Sequence, residues 1–517
     1  MRSLLWTAAL AAVVPTASAW AALPEQVKTD AGVVAGTTGA SPEIRVFKGI
    51  PFAAPPTGNN RWRAPQPVAH WSGTRPATEY GPRCTQGGPP GGPNAAAPPP
   101  TSEDCLYLNV WTTAESANDR RPVMVWIYGG GFFGGAGSEA RYAGDGLAKK
   151  GAVVVTLNYR LGSLGFLAHP ELSAESDHKV SGNYGMLDAL AALRWVQQNI
   201  AAFGGDPGNV TVFGESAGAN MTATLVGSPV AKGLFRRAIA QSGAWMGLGM
   251  ARMGTLANAE QSGAKAVADT GAKSIAELRA KPVQEVFASI RGGNLVVDGY
   301  LIPEDLSLTF ASGRQNAVDI LVGSNQDEGT FFARPGLTAE QYTTQARRRF
   351  GVLADGYLKI FPADDDAAAS RSYLDSFRDE AAWNQRKFAE LQAKRGNKTF
   401  VYYFTHVPPS PPDRPSRGAT HVAEIPYMFD NLPAGLAWTD VDRKLADTMA
   451  SYWVNFARTG DPNGTGLPEW PAYRAATGKA QVLGDTVATE TASAPPAATL
   501  AYFDSAYQQL LKGGANQ

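Results

Sequence analysis

The stretch Asn209-Val210-Thr211-Val212-Phe213-Gly214-Glu215-Ser216-Ala217-Gly218 decides how the rest of this chain is read. Asn209 to Phe213 is a short apolar run with β-branched residues, and from Ala219 onward the spacing suits a helix, so the G-x-S-x-G falls on a strand-to-helix turn. A bend that sharp holds its serine in a strained backbone conformation and needs glycines at 214 and 218, where side chains would meet neighbouring backbone. Ser216 Oγ is thereby lifted clear of a sheet. A free hydroxyl is a weak nucleophile, so this reading also requires a base and a third group that orients the base. The plainer alternative, a tight turn that happens to contain serine, requires neither.

Outward from this turn, further apolar runs bounded by turn residues predict strands: Glu43 to Phe47, Cys105 to Trp111, Pro122 to Tyr128, Ala152 to Tyr159, Asp319 to Ser324 and Thr399 to Phe404. Several are apolar almost without interruption, as strands covered on both faces are. Helical spacing lies between them. Met186, Leu190, Leu193, Val196 and Ile200 fall three or four apart before Gly204-Gly205, and Leu445, Met449, Tyr452 and Phe456 repeat the pattern before Gly460. Strands alternating with helices predict an α/β fold with a large, mostly parallel central sheet. A length of 517 residues allows roughly three domains at about 150 residues each. No repeat, charge block or interdomain linker divides the chain, however, and the Pro-rich stretches 87–100 and 408–415 read as surface loops, so one domain over 20–517 is expected.

Where such a serine turn crowns a sheet, the partners follow in the order serine, acid, histidine. That order disfavours His70, His169 and His178 and leaves His406 and His421, with His421 preferred because it lies beyond the Pro-rich excursion. The strand ending at Ser324 runs into Asn325-Gln326-Asp327-Glu328-Gly329, and its two adjacent carboxylates are not separable on chemistry alone. Gly129-Gly130-Gly131 after the strand Pro122 to Ile127 can turn bare backbone amides toward a substrate oxygen, joined by the amide of Ala217. Gly129 to Gly134 also spells G-x-G-x-x-G. A dinucleotide site needs a helix directly afterward and an acidic end to the next strand, and the chain offers Phe132-Phe133-Gly134-Gly135 and Asn158-Tyr159-Arg160 instead.

Composition narrows the classes further. With 46 basic and 46 acidic residues the formal charge is zero, so no footprint for nucleic acid or an anionic membrane is present. Arg2, an apolar run from Leu4 to Val14 and Ala17-Ser18-Ala19 read as a leader over 1–19, with residue 21 as the alternative cleavage point, and that run is too short for the ~20 residues that span a bilayer. The expected location is secreted or periplasmic, without stable membrane insertion. Cys84 and Cys105 are the 2 cysteines, and export to an oxidising compartment favours their pairing. Two Cys and 5 His, with no HExxH or CxxC, leave little for a metal site, and no cofactor is expected.

The chain resembles the type-B carboxylesterases of the carboxylesterase/cholinesterase superfamily, which have the α/β-hydrolase fold. The likeness runs from about residue 25 to beyond 470. It rests on Phe47-Lys48-Gly49-Ile50-Pro51-Phe52-Ala53, Ser102-Glu103-Asp104-Cys105-Leu106-Tyr107-Leu108-Asn109, the run at Gly129, Asn158-Tyr159-Arg160, Phe203-Gly204-Gly205-Asp206-Pro207, Gly214 to Gly218 and Asp327-Glu328-Gly329. The resemblance implies Ser216 as nucleophile, Glu328 as acid, His421 as base, and Gly130, Gly131 and Ala217 as the oxyanion hole. It also implies a Cys84–Cys105 disulfide and buried ion pairs Arg61 with Glu103 and Arg160 with Asp188. The cholinesterases carry a tryptophan in the first disulfide loop that binds quaternary ammonium by cation–π attraction. The loop 85–104 here contains no aromatic residue, so a choline ester is not the expected substrate.

The expected chemistry is hydrolysis of neutral, fairly hydrophobic carboxylic esters through an acyl-enzyme. Phe132, Phe133, Trp245, Phe331 and Phe332 are candidates to line the pocket, although an aromatic near a strand end is more often plain core. The same machinery would serve an amide, carbamate, lactone or polyester bond. A binding protein on this fold is the alternative of another class, disfavoured by the presence of all three triad residues. A monomer or weak homo-oligomer is expected, and activity should fall as acid protonates the histidine.

Overall fold

A computed structural model describes residues 22–87, 100–244, 246–248, 253–290, 292–490 and 495–513. The expected leader and Trp245 lie outside the described residues, as does most of the loop between the cysteines.

Eleven strands form one mixed sheet. In chain order they are β1 (Thr37–Thr38), β2 (Arg45–Pro51), β3 (Tyr107–Thr112), β4 (Arg121–Ile127), β5 (Val153–Leu157), β6 (Gly205–Glu215), β7 (Arg237–Gln241), β8 (Asp319–Asn325), β9 (Thr399–Phe404), β10 (Ala480–Leu483) and β11 (Val487–Glu490). In space they run β11-β10-β9-β8-β7-β6-β4-β5-β3-β2-β1. The pairings from β5 through β4, β6, β7, β8 and β9 to β10 are all parallel, and the edges are antiparallel. Crossover connections require helices on the sheet, which is why the central strands are apolar throughout: Val153, Val154, Val155 and Leu157 of β5 are all fully buried. The mostly parallel α/β reading therefore holds at the centre of the sheet.

The expected strands are present with ends shifted by one or a few residues. The helix around Met186 is α1 (Tyr184–Asn199), and a short 3-10 turn carries it to Phe203 before Gly204 takes the left-handed φ of 78°. The serine is followed by α2 (Ala217–Gly227), packed on β6 and β7. Glu328 opens the single turn α3 (Glu328–Phe331). Next come the long α4 (Asp366–Ala393), packed on β8 and β9, and α5 (Asp440–Thr459). A capping box between Thr439 and Asp442 starts α5, and Gly460 ends it. The apolar pattern did not announce α4, whose buried face carries Ser372, Asp379, Glu380, Asn384, Gln385, Arg386 and Gln392 among its apolar residues.

Cys84 and Cys105 form a disulfide. Arg61 grips Glu103 with two hydrogen bonds of 2.6 Å, and Arg160 is bidentate to Asp188 at 2.8 and 2.6 Å. Arg160 and Asp188 are 3% and 0% exposed, so each charge depends on the other for solvation. No helix among the described residues is long and apolar enough to cross a membrane.

Candidate active site

Ser216 stands between β6 and α2 with φ 56° and ψ −123°, a conformation that costs a non-glycine residue about 1–3 kcal/mol and persists only when its surroundings enforce it. Here the enforcement is visible. Ser216 N donates to Gln241 O on β7, and Asn220 N donates to Ser216 O, both at 2.9 Å. A Cβ on Gly214 would lie 2.6 Å from Gly218 C, and one on Gly218 would run into the carbonyl of Ile127 on β4. Only glycines allow the turn to press this closely on the neighbouring strand.

His421 reaches the serine across 205 positions of sequence, its Nε2 lying 2.8 Å from Ser216 Oγ. Its Nδ1 is hydrogen-bonded to Glu328 Oε2. The other carboxylate oxygen, Oε1, accepts from Ser242 Oγ at 2.6 Å and from Asn325 N at 2.9 Å. Both carboxylate oxygens of Glu328 are thus held, one by the imidazole and the other by the protein around it. The adjacent Asp327 turns away and holds the histidine's loop: Asp327 N donates to Ala419 O at 2.9 Å, and Ala419 N donates to Asp327 Oδ2 at 2.8 Å. Asn325 Nδ2 also donates to Thr420 O at 2.8 Å.

The remaining histidines are elsewhere. Both ring nitrogens of His406 are taken, by Asp485 at 2.6 Å and Asp442 at 2.8 Å. His169 caps a helix, His178 stacks on Tyr300, and His70 is exposed.

The glycine run passes directly beside the serine, since a Cβ on Gly129 would lie 3.0 Å from Ser216 Cβ. Gly130 and Gly131 have φ of 100° and 63°, and Gly130 O accepts from Phe133 N and Gly134 N, which closes a tight turn. No hydrogen bond among the described residues engages the amides of Gly130 and Gly131, and Ala217, first in its helix, has no intrahelical acceptor. Such donors are free to meet charge that develops on a bound oxygen.

Two buried carboxyls that the motif reading did not single out complete the electrostatics. Burial pushes Glu215 up to about 8, and its Oε1 stands 3.2 Å from His421 Nε2 without hydrogen-bond alignment. Burial also pushes Glu424 up to about 7, against the pull of Asn325 Nδ2 and Gln241 Nε2, which donate to it at 2.6 and 2.9 Å. Burial alone would lower His421, but the carboxylates of Glu215 and Glu328 outweigh it and raise the imidazole to about 9. Glu215 had a sequence signal, being the variable position of the G-x-S-x-G itself. Ser242 carried no such signal, since nothing local links it to Glu328, 86 residues on.

A cavity of about 120 Å³ adjoins Ser216 and His421. Phe332 lines it, with its ring 5.0 Å from the His421 ring and stacked on Phe377 at 4.8 Å. Phe331 lies 5.4 Å from the same imidazole and is 44% exposed. Phe132 is buried edge-on against Phe166, and Phe133 is an exposed residue of the glycine turn. Neither Phe132, Phe133 nor Phe331 lines this cavity. Arg349, Asn384 and Gln385 do, and no motif in the sequence marks them.

A model of the carboxylesterase family matches residues 24–495. A fumonisin B1 esterase of Sphingopyxis macrogoltabida is 39% identical over 495 residues, covering 91% of this chain and 89% of its own. A para-nitrobenzyl esterase of Bacillus subtilis is 36% identical over 492 residues, covering 90% of this chain and 96% of its own. Among solved structures, a PNB esterase superposes with a TM-score of 0.78 at 34% identity, over 90% of this chain and 97% of that one.

Proposed function

The chain belongs to the carboxylesterase family, whose members are carboxylic-ester hydrolases of the α/β-hydrolase superfamily, and from that premise we propose that Ser216, His421 and Glu328 are its nucleophile, base and orienting acid. The observation that carries this reading is the continuous bond path from Ser216 Oγ through both nitrogens of His421 to Glu328. As Ser216 Oγ forms its bond to the ester carbonyl carbon, its proton passes to His421 Nε2. The carbonyl oxygen takes the electron pair, with the amides of Gly130, Gly131 and Ala217 as its donors. Each such donor is worth about 3–4 kcal/mol at the transition state. The tetrahedral species collapses, the C–O bond to the alcohol breaks, and His421 returns its proton to the departing oxygen. Water then repeats the cycle on the acyl-serine and releases the acid.

The substrates are neutral, fairly hydrophobic esters, a reading supported by Phe332 and Phe377 on the cavity wall and by the absence of an aromatic residue from 85–104. The enzyme is exported after removal of the leader 1–19, and residues 20–517 act as one domain, as a monomer or weak homo-oligomer. A fluorophosphonate probe should label the wild type and not Ser216→Ala. The same substitution should lower hydrolysis of p-nitrophenyl butyrate by roughly 10³-fold or more. Undiminished hydrolysis by Ser216→Ala would overturn the assignment, and faster cleavage of butyrylcholine than of p-nitrophenyl butyrate would overturn the substrate reading.

A further inference from the structure

The cavity beside Ser216 ends on a wall that the ester chemistry leaves unused. Glu380, Asn384 and Gln385 come from one face of α4, and Arg349 comes from the neighbouring helix Ala339–Phe350. Gln385 is 1% and Asn384 7% exposed. Both amide atoms of Gln385, Asn384 Oδ1 and Arg349 Nε are nevertheless without a hydrogen-bond partner among the described residues. A buried polar atom left unpaired is destabilising, so a pocket meant only for alkyl chains would be better served by leucine or methionine there. The Arg349 charge is already spent within the protein, since its Nη2 donates to Glu380 Oε2 at 2.6 Å. The partnerless buried atoms of this wall are thus of both kinds, the donors Arg349 Nε and Gln385 Nε2 and the acceptors Gln385 Oε1 and Asn384 Oδ1. A carboxylate would satisfy the donors and be repelled by the acceptors.

Resting on the esterase reading above, we infer that this wall is a specificity subsite for the far end of the substrate, and that it takes an uncharged group able both to donate and to accept hydrogen bonds, a carboxamide or a hydroxyl. Phe332 and Phe377 cover the apolar stem between that group and the scissile bond. Gln385 and Asn384 then choose among esters without touching the reacting atoms.

The test compares esters that differ only at their far end. On the acyl side these are p-nitrophenyl hexanoate, the p-nitrophenyl ester of adipic acid monoamide and the corresponding p-nitrophenyl adipate monoester. On the alcohol side they are hexyl acetate and the acetate of 6-hydroxyhexanamide. On the wild type, the amide of at least one pair should exceed its alkyl counterpart in kcat/KM by about tenfold, the effect of two modest hydrogen bonds. In Gln385→Met that ratio should fall to about one or below, with no loss of thermal stability, because an unpaired amide is exchanged for an apolar chain of similar volume. Asn384→Leu provides the second variant should Gln385→Met not fold. Hexanamide should raise the melting temperature of the wild type and of Ser216→Ala but not of Gln385→Met, a readout that needs no turnover and so separates failure of the wall from failure of the esterase reading. Amide esters no better than alkyl esters in both pairs, a ratio unchanged in the variants, or faster cleavage of the adipate monoester than of its amide would overturn the inference.

Discussion

Asp327 and Ala419 are joined by two hydrogen bonds, backbone amide to carbonyl at 2.9 Å and backbone amide to carboxylate at 2.8 Å, and this clamp sets the height of the loop that carries His421. On the proposed roles, the acidic residue beside Glu328 positions the base. In Asp327→Ala one bond of the clamp is lost. Because a displacement of about 1 Å at a reacting group can cost 10²-fold, kcat for p-nitrophenyl butyrate should fall by between roughly 10 and 10² with little change in KM. A wild-type kcat in a folded Asp327→Ala would refute the clamp.

Ser242 gives Glu328 Oε1 the shorter of its two hydrogen bonds, at 2.6 Å against 2.9 Å from Asn325 N. A bond to a charged acceptor is worth about 1.5–3 kcal/mol, so Ser242→Ala should leave the carboxylate less firmly held and lower kcat/KM by roughly tenfold or more. Steady-state kinetics on the alanine variant, with its circular dichroism spectrum checked against the wild type, reads this directly.

Activity and stability should respond to pH in opposite directions. His421, raised from 6.5 to about 9, must lose its proton to act as base, so kcat/KM should climb from neutral pH toward 9. Glu215, raised from 4.5 to about 8, and His421, raised to about 9 by the neighbouring carboxylates, titrate as a pair that binds protons in the native state where the unfolded chain has released them. The stability from Glu215 is complete below pH 4.5 and lost as pH rises through 8. That from His421 is complete below 6.5 and lost through 9. The melting temperature should thus decline from pH 6.5 to 9 as the rate rises. Glu215→Gln should move the kinetic limb to lower pH and flatten the melting curve. A limb unmoved by that substitution would show that Glu215 does not act on His421.

The Arg160–Asp188 pair should be costly to break from one side. Asp188→Asn leaves a guanidinium that is 3% exposed without its counter-charge, a loss of about 3–5 kcal/mol in denaturant unfolding. The Cys84–Cys105 bridge, closing a sequence separation of 21, should contribute roughly 3 kcal/mol, measured as the difference between oxidised protein and Cys84→Ser/Cys105→Ser.

The serine turn, seven of the eleven sheet strands (β2 to β6, β8 and β9) and the alternation with helices were readable from residue order, because each depends on neighbours in sequence, and the disulfide was readable because the chain has 2 cysteines. Strand hydrophobicity is a local pattern, and the glycines at 214 and 218 are demanded by a bend five residues long. The short strands β1, β10 and β11 were not readable, since two to four residues of ordinary composition carry no period.

Which of Asp327 and Glu328 meets the histidine could not be read from two adjacent carboxylates. The answer lies in the turn of α3, which rotates one toward His421 and the other toward Ala419. The buried Glu215 and Glu424 and the tie from Ser242 to Glu328 likewise exist only once segments more than eighty residues apart are packed together, and the polar wall of α4 only once Arg349 is brought against Glu380, 31 residues on. Residue order specifies what a short segment can do. Burial, which changes the proton affinity of a carboxyl and leaves the amide of Gln385 without a partner, is a property of the assembled neighbourhood and only the tertiary structure decides it.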